Sequence, residues 1–339
     1  MLRTVTMSDV ARAAGVSPMT VSNVVNGRPG VSEAVRRRVL EQIEATGYRM
    51  NAAARQLRSG RSGVIGLAVP ELDRPYFGAL GSHITRVAKD AGYRIAVEET
   101  GAGEAGEIDA IQLSQSLQYD GLILSSVNMD LRKIGGVQSF PIVLLGERDN
   151  PTGADHIALP NVEGARAVTR HLAERGARRI AYVGGPSTEA VSIFSLRREG
   201  FEAGLADAGL EVPRGGEDPL RFETQLITME EGRRAGWQIA ESPQLPDAVF
   251  AITDTVALGV VRGLADRGVR VPEDLLVAGF DDVPESEYLV PSLTTVAPDH
   301  EWTARRAVEL LLARMEKPSR TGNEERAPFT VAIRESTGG

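Results

Sequence analysis

Five side chains in one short run, Pro18, Met19, Thr20, Ser22 and Asn23, are small, polar or flexible, and none is acidic. Set on one helix face close to several arginines, they suit the base edges and phosphates of a DNA major groove, where an acid would be repelled. A second run, NAAARQLRSG over residues 51–60, places one large apolar residue, Leu57, between Arg55 and Arg58. A helix of two turns is marginal alone in water, so this one orders only against a partner. Folded on DNA, Leu57 would wedge between base pairs of the minor groove with Arg55 and Arg58 near phosphates. The alternative is a linker helix whose Leu57 packs on the rest of the chain.

Catalytic patterns are weaker. Gly101, Gly103 and Gly106 match G-x-G-x-x-G after an apolar run, the pattern of a dinucleotide turn. Glu98, Glu99, Glu104 and Glu107 surround the place for a pyrophosphate, with nothing basic to offset them, so the segment reads as a surface loop. The four histidines, His83, His156, His171 and His300, are scattered without ligand spacing and read as surface or capping residues. Neither G-x-S-x-G nor H-E-x-x-H occurs, and there is no cysteine, so thiol catalysis, disulfides and cysteine-held zinc are excluded. No catalytic residue, metal or cofactor is expected.

The elements that position the first run are legible. Thr6 and Asp9 have capping-box spacing at the start of one helix, and Gly15 supplies the left-handed residue that ends it. Val16 fills the corner, Ser17 caps the next helix and Pro18 occupies its first position. Val21, Val24 and Val25 form its buried face, which turns Pro18, Met19, Thr20, Ser22 and Asn23 outward. Ser32 then opens a third helix with Val35, Val39 and Ile43 on one side and Gly47 at its end.

Charge follows the same division. Residues 1–61 hold ten arginines and four acids, net +6, while the remainder is net −14 in a chain of 339 residues and net −8. A basic head on an acidic body attracts a polyanion at one end only. No leader-like apolar segment opens the chain and no uncharged run approaches a membrane span of about 20 residues, so a cytoplasmic location is expected, nucleoid-associated when DNA is bound.

From Gly63 short apolar strands alternate with helices: GVIGLAV, YRIAVEE, GLILSS, PIVLLG, RRIAYVGG, AVFAITD and LLVAGFDD are the strands. Such alternation predicts parallel, doubly wound sheets, and there are too many units for one open sheet of ordinary size. Two similar lobes with a cleft between them are expected. Ligands of such sheets sit beyond the carboxyl ends of the strands, which directs attention to Asp73, Ser125, Glu147, Thr253 and Asp281.

The run VTMSDVARAAGVSPMTVSNVVNG, with VSEAVRRRVLEQIEATGY, NAAARQLRSGRSGVIGLAVPELDRPYF, GARAVTRHLAERGARRIAYVGGP, DTVALG and VAGFDDVPESEYLVPSLTTV, resembles the lac repressor/galactose repressor family of bacterial transcription regulators nearly end to end. The resemblance implies an all-α three-helix helix-turn-helix head at residues 1–50 and a hinge helix or linker at 51–61. An α/β two-lobed, periplasmic-binding-protein-like core follows at 62–339. Its lobes would exchange chain, about 62–162 plus 291–321 and about 163–290 plus 322–339. Pro18, Met19 and Asn23 fall where the family reads bases, Thr20 and Ser22 where it anchors phosphate, and Leu57 where it wedges the minor groove. Thr6, Ser17, Asn26, Arg28, Asn51, Ala54, Arg55 and Arg58 complete the expected DNA-binding set. Tyr76, Phe77, Ser125, Arg197, Thr253 and Asp281 fall on effector-contacting positions, and Asp73, Glu147 and Ile227 complete that set. Arg197 and Asp281 would fix hydroxyls, and Phe77 would offer a flat apolar face. Four residues depart from the family pattern. Met50 stands for a usual proline, Thr253 for a common asparagine, Ile227 for an aromatic residue and Pro160 for a common aspartate.

The expected function is a transcriptional repressor that binds a near-palindromic operator as a homodimer and is controlled by a small effector, a sugar or sugar derivative, in the cleft. No heptad stretch follows Ile333, so no tetramerising tail is expected. The alternative is a carbohydrate-binding or carbohydrate-converting α/β protein whose helical head mediates association.

Overall fold

The computed structural model describes residues 5–25, 27–48, 60–101, 103–127, 140–147, 153–186, 191–212, 219–318 and 321–339. Asn26, Asn51, Ala54, Arg55, Leu57, Arg58 and Met50 lie outside the described residues. The chain divides into two compact units, Met1–Ser62 and Gly63–Gly339.

In the first unit α1 (Met7–Ala14), α2 (Pro18–Val25) and α3 (Glu33–Thr46) pack around Val10, Ala11, Ala14, Val21, Val24 and Val39. Thr6 and Asp9 close the capping box at α1, and Gly15 ends the helix at φ 61°. The Ser17 hydroxyl accepts from Thr20 N at 3.1 Å and starts α2. Ser32 stands at the cap position of α3, but its side chain makes no cap hydrogen bond.

One expectation for α2 is corrected. Ser22 is buried, not outward. At about 100° per residue it flanks Val21 and Val25 on the inward stripe, where a small polar side chain fits against its neighbours.

The second unit holds two six-stranded sheets. The first comprises β1 (Val64–Val69), β2 (Arg94–Glu99), β3 (Gly121–Ser125), β4 (Ile142–Leu145), β5 (Asp155–Ala158) and β11 (Glu324–Arg326), in the order β11-β5-β4-β3-β1-β2. The second comprises β6 (Ile180–Gly184), β7 (Arg221–Glu223), β8 (Ala248–Ala251), β9 (Leu276–Phe280), β10 (Thr294–Pro298) and β12 (Phe329–Ala332), in the order β12-β10-β9-β8-β6-β7. Every pairing is parallel except β10 with β12. The central strands β1, β3, β6 and β8 are nearly continuous runs of buried apolar residues, as strands covered on both faces must be. Each lobe repeats one winding, with its switch point between β1 and β3 or between β6 and β8.

The helices between strands are α4 (Pro75–Asp90), α5 (Glu104–Ser116), α6 (Asn161–Glu174), α7 (Ile193–Asp207), α8 (Met229–Ala240), α9 (Asp254–Asp266), α10 (Glu285–Tyr288) and α11 (His300–Glu316). Helices α8 and α9 approach with backbones nearly touching. A Cβ on Gly232 would lie 2.2 Å from the Val256 carbonyl, and one on Gly259 2.0 Å from that of Met229. Any larger residue at either position separates the pair.

The crossings between lobes differ from the expected limits. Strand β10 belongs to the second sheet and α11 packs on α4 and β3 of the first lobe, so the chain crosses near 299 and not near 291. Strand β11 returns to the first sheet and β12 to the second, which moves the last crossing from near 321 to near 327. Strand β11 is short and wholly polar, so its sheet is set by backbone pairing and not by apolar pattern.

The glycine-rich segment is not a surface loop, because Gly103 caps α5 directly. Glu107 turns inward from that helix, fully buried, and accepts from Ser126 Oγ at 2.8 Å and Val127 N at 2.7 Å. Two of the histidines are also interior: His156 meets the Gly146 carbonyl at 2.6 Å and His171 the Thr337 hydroxyl at 2.9 Å. Each ring is buried with one nitrogen, Nε2, in a hydrogen bond to a polar neighbour. No helix among the described residues is long and apolar enough to cross a membrane.

Candidate functional site

The first unit shows its polar chemistry on α2. Met19 is 67% exposed, Ser17 and Pro18 are exposed, and Thr20 and Asn23 are partly so. The Ser17 and Thr20 hydroxyls lie 3.0 Å apart, so they move as one small polar group. Thr6 is exposed while its hydroxyl is engaged with Asp9 at 2.7 Å. Arg28 follows α2 on the surface, its N–H bound to the Asn23 carbonyl at 2.9 Å. Helix α2 has no acid in its first turn, and Arg37 and Arg38 on α3 are exposed. The outward face of α2 is thus free of the charges that would repel a polyanion, while the exposed acids of this unit, Glu33, Glu41 and Glu44, lie on α3.

In the second unit the candidate residues gather at the carboxyl ends of the strands. Arg197 is 2% exposed, and three acceptors hold its guanidinium. Nε donates to Asn161 Oδ1 at 2.7 Å, one terminal nitrogen to the Ile252 carbonyl at 2.6 Å and the other to Asp281 Oδ1 at 3.0 Å. The Phe280 ring lies under the guanidinium, 3.5 Å from its centroid. A cation out of water persists only with such partners.

Asp281 follows β9 at φ 118°, a left-handed conformation that an aspartate adopts at a cost. Burial raises the tendency of its carboxyl to hold a proton, and Arg197 opposes that. Glu147, after β4, is likewise pushed up by burial, with the Asn161 amide and Arg197 pulling it back, while its Oε1 accepts from Leu159 N at 3.2 Å. Tyr76, in the first turn of α4, has its hydroxyl pushed well above the usual range by burial and then by Asp281 and Glu147. Its ring meets Phe77 edge-on at 5.0 Å. Tyr76, Glu147, Arg197 and Asp281 therefore sense one another across the two lobes.

The other candidates are placed differently. Ser125 is buried at the end of β3 and Asp73 is exposed before α4. Thr253 is buried, and its hydroxyl caps α9 by accepting from Val256 N at 3.2 Å. Ile227 is buried among the apolar residues of the second lobe.

Sequence reasoning missed Asn161 and Phe280, and read Asp254 only as one of the residues that follow a strand. Phe280 ends β9 and lies one residue from the strand-end position Asp281, whereas Asn161 stands three residues beyond β5 at the start of the next helix and escapes that rule. Asp254 is fully buried, and its carboxyl accepts from Thr295 Oγ1 at 2.6 Å, Ser286 Oγ at 2.8 Å and Val283 N at 3.0 Å. Burial first, and Asp281 second, push its pKa up to about 7. Nothing in its sequence neighbourhood signals that depth. Among the described residues no group of acids and histidines could hold a metal ion.

Residues 6–51 match the family model described as bacterial regulatory proteins, lacI family, and residues 169–337 match the periplasmic binding protein-like domain. The chain is 31% identical to catabolite control protein A of Priestia megaterium over 98% of its length and 99% of that protein. It is 30% identical to the ribose operon repressor of Escherichia coli, with 97% of this chain and 98% of that one covered. Among solved structures it is similar to the lac repressor dimer bound to operator and the anti-inducer ONPF, with a TM-score of 0.83, 26% identity and 99% of each chain covered.

Proposed function

The chain belongs to the lacI family of bacterial regulatory proteins, and from that membership we infer that it is a DNA-binding transcriptional repressor, working as a homodimer on a near-palindromic operator. It is a regulator and not an enzyme, which sets aside the carbohydrate-converting alternative. The observation that carries this reading is the exposed, acid-free face of α2 on a basic N-terminal unit. In this reading Pro18, Met19 and Asn23 meet base edges, Ser17 and Thr20 meet a phosphate, and Arg28 adds charge at the groove edge. Ser22, being buried, would act by packing α2 and not by reaching DNA. The hinge contacts proposed for Asn51, Ala54, Arg55, Leu57 and Arg58, and that of Asn26, rest on residue type and spacing alone. A repressor of this kind acts where the chromosome is, in the cytoplasm and on the nucleoid when bound.

The second unit takes the effector. A guanidinium has five donors, and three of those on Arg197 are already held, which leaves a rigid group able to present the rest to a ligand hydroxyl. With Asp281, Glu147 and the Tyr76–Phe77 pair beside it, the arrangement favours a polyhydroxylated ring that exchanges hydrogen bonds on its edges and lies against an aromatic face. A sugar or sugar derivative meets that description, and the similar ribose operon repressor points the same way. Binding there shifts the balance between lobe arrangements, and through it the grip on DNA.

The test is a gel shift of the full chain on its own upstream intergenic DNA at moderate salt, repeated with a panel of sugars and sugar phosphates. A sequence-selective shift that one member of the panel alters is expected. Equal binding to unrelated duplex under all conditions overturns the repressor reading.

A further inference from the structure

His300 looks like an isolated surface residue in the sequence, yet it holds a position between the lobes. It begins α11, which packs on α4 and on β3, β4 and β5 of the first lobe. Its Nε2 lies 2.6 Å from the carbonyl oxygen of Asp281, which follows β9 of the second sheet. A carbonyl only accepts, so Nε2 carries the proton. The same ring meets Tyr76 of the first lobe edge-on, with centroids 5.5 Å apart.

The turn it touches is strained, with Asp281 at φ 118° and Asp282 at φ 52°. Groups of the second lobe hold its amides. Asp281 N donates to the Val296 carbonyl at 2.9 Å, Asp282 N to Thr295 Oγ1 at 3.4 Å and Val283 N to Asp254 Oδ2 at 3.0 Å. The Asp281 carbonyl is held from the first-lobe helix. One strained peptide therefore carries the carboxylate that grips Arg197 and is restrained from both sides of the cleft.

We propose that His300 is a positioning residue that ties the setting of the two lobes to the conformation of the Asp281 turn, and so to the Arg197–Asp281 pair. The proposal deepens the effector reading and rests on it for its biological meaning. A displacement of α11 draws on the Asp281 carbonyl, and a ligand that reorganises Asp281 draws on α11. The hydrogen bond makes these one variable where two would otherwise exist.

The test needs no ligand. The chain has no cysteine, so Gln112→Cys on α5 and Glu199→Cys on α7, both exposed, allow spin labels on the two lobes of the full-length protein. In that background His300→Phe keeps a ring against Tyr76 but cannot donate, and His300→Gln restores a donor. His300→Phe is expected to broaden the inter-lobe distance distribution. It should also speed hydrogen exchange of the Asp281, Asp282 and Val283 amides by roughly fivefold, the effect of one lost hydrogen bond. Exchange in β6 should stay unchanged, and His300→Gln should return both readouts to the parent values. A His300→Phe protein identical to the parent overturns the proposal, as does a His300→Gln protein that restores neither readout. Equal acceleration in β6 also overturns it, since that would report general loosening. Because the measurements are made without effector, their failure leaves the effector reading to be judged by ligand binding alone.

Discussion

The head and the inter-lobe site handle polar groups in opposite ways. The head sets its chemistry outward on near neighbours in sequence, Ser17, Pro18, Met19, Thr20 and Asn23, over a core of valines and alanines. The inter-lobe site sets its chemistry inward. Arg197 meets Asn161, Ile252 and Asp281 across 36, 55 and 84 positions of chain. Exposed groups fold at little cost and wait for a partner. Buried charges are stable only when every partner is in place, so their geometry is over-determined before any ligand arrives. A surface that reads DNA tolerates exchange of single side chains without loss of fold, whereas a buried ion pair binds function and stability together.

The largest expected break in that contrast is Arg197→Met. It strands the Asp281 carboxyl and the Ile252 carbonyl, and removal of one member of a buried pair costs about 3–5 kcal/mol. Denaturant unfolding of the full chain measures this, and a loss below ~1 kcal/mol would mean that water already reaches the pair. The double change Arg197→Met with Asp281→Leu should be less damaging than Arg197→Met alone, because no charge is then left unpaired.

Next in size is a pH effect from Asp254. Its folded pKa of about 7 lies above the ordinary 3.8, through burial first and Asp281 second. Between those values the native chain holds a proton that the unfolded chain has released. Its contribution to stability is therefore present at low pH, falls as pH rises through this window, and levels off above the folded value. Melting temperatures across the window should show the decline, and Asp254→Asn should remove it. A parent and variant with parallel profiles would place the carboxyl in contact with solvent.

On the head, Asn23→Ala should weaken selective operator binding by about 1–3 kcal/mol, the range for one base-reading side chain, and leave the melting temperature unchanged. A large loss of stability would show that Asn23 belongs to the core and blur the contrast. The smallest effect is expected from Thr6→Ala, which removes the cap of α1 and should cost the head about 1 kcal/mol while the core melts as before. Separate unfolding transitions for the two units would resolve it.

The head was legible because its determinants are local. Thr6 with Asp9, Gly15, and Ser17 with Pro18 fix helix ends within a few residues, and Val21 and Val24 mark the inward stripe. Ser22 departed from its expected face because a small polar residue at the margin of a stripe faces in or out according to what packs beside it. The alternation of apolar runs and helices likewise showed two doubly wound lobes, since strands buried on both faces must be apolar throughout.

What the chain's order of residues could not decide was everything that depends on distant segments meeting. Asp254 and Glu107 look like ordinary helix-start acids, and His300 like a solvated histidine, until the fold buries the first two and sets the third between lobes. The crossings near 299 and 327 were equally hidden, because β10 and β11 join their sheets through backbone hydrogen bonds that any short extended segment can make. Local sequence determined which elements form and which faces are apolar. Only the tertiary structure decided which polar groups lose water together, because desolvation belongs to the assembled surroundings and not to the residue.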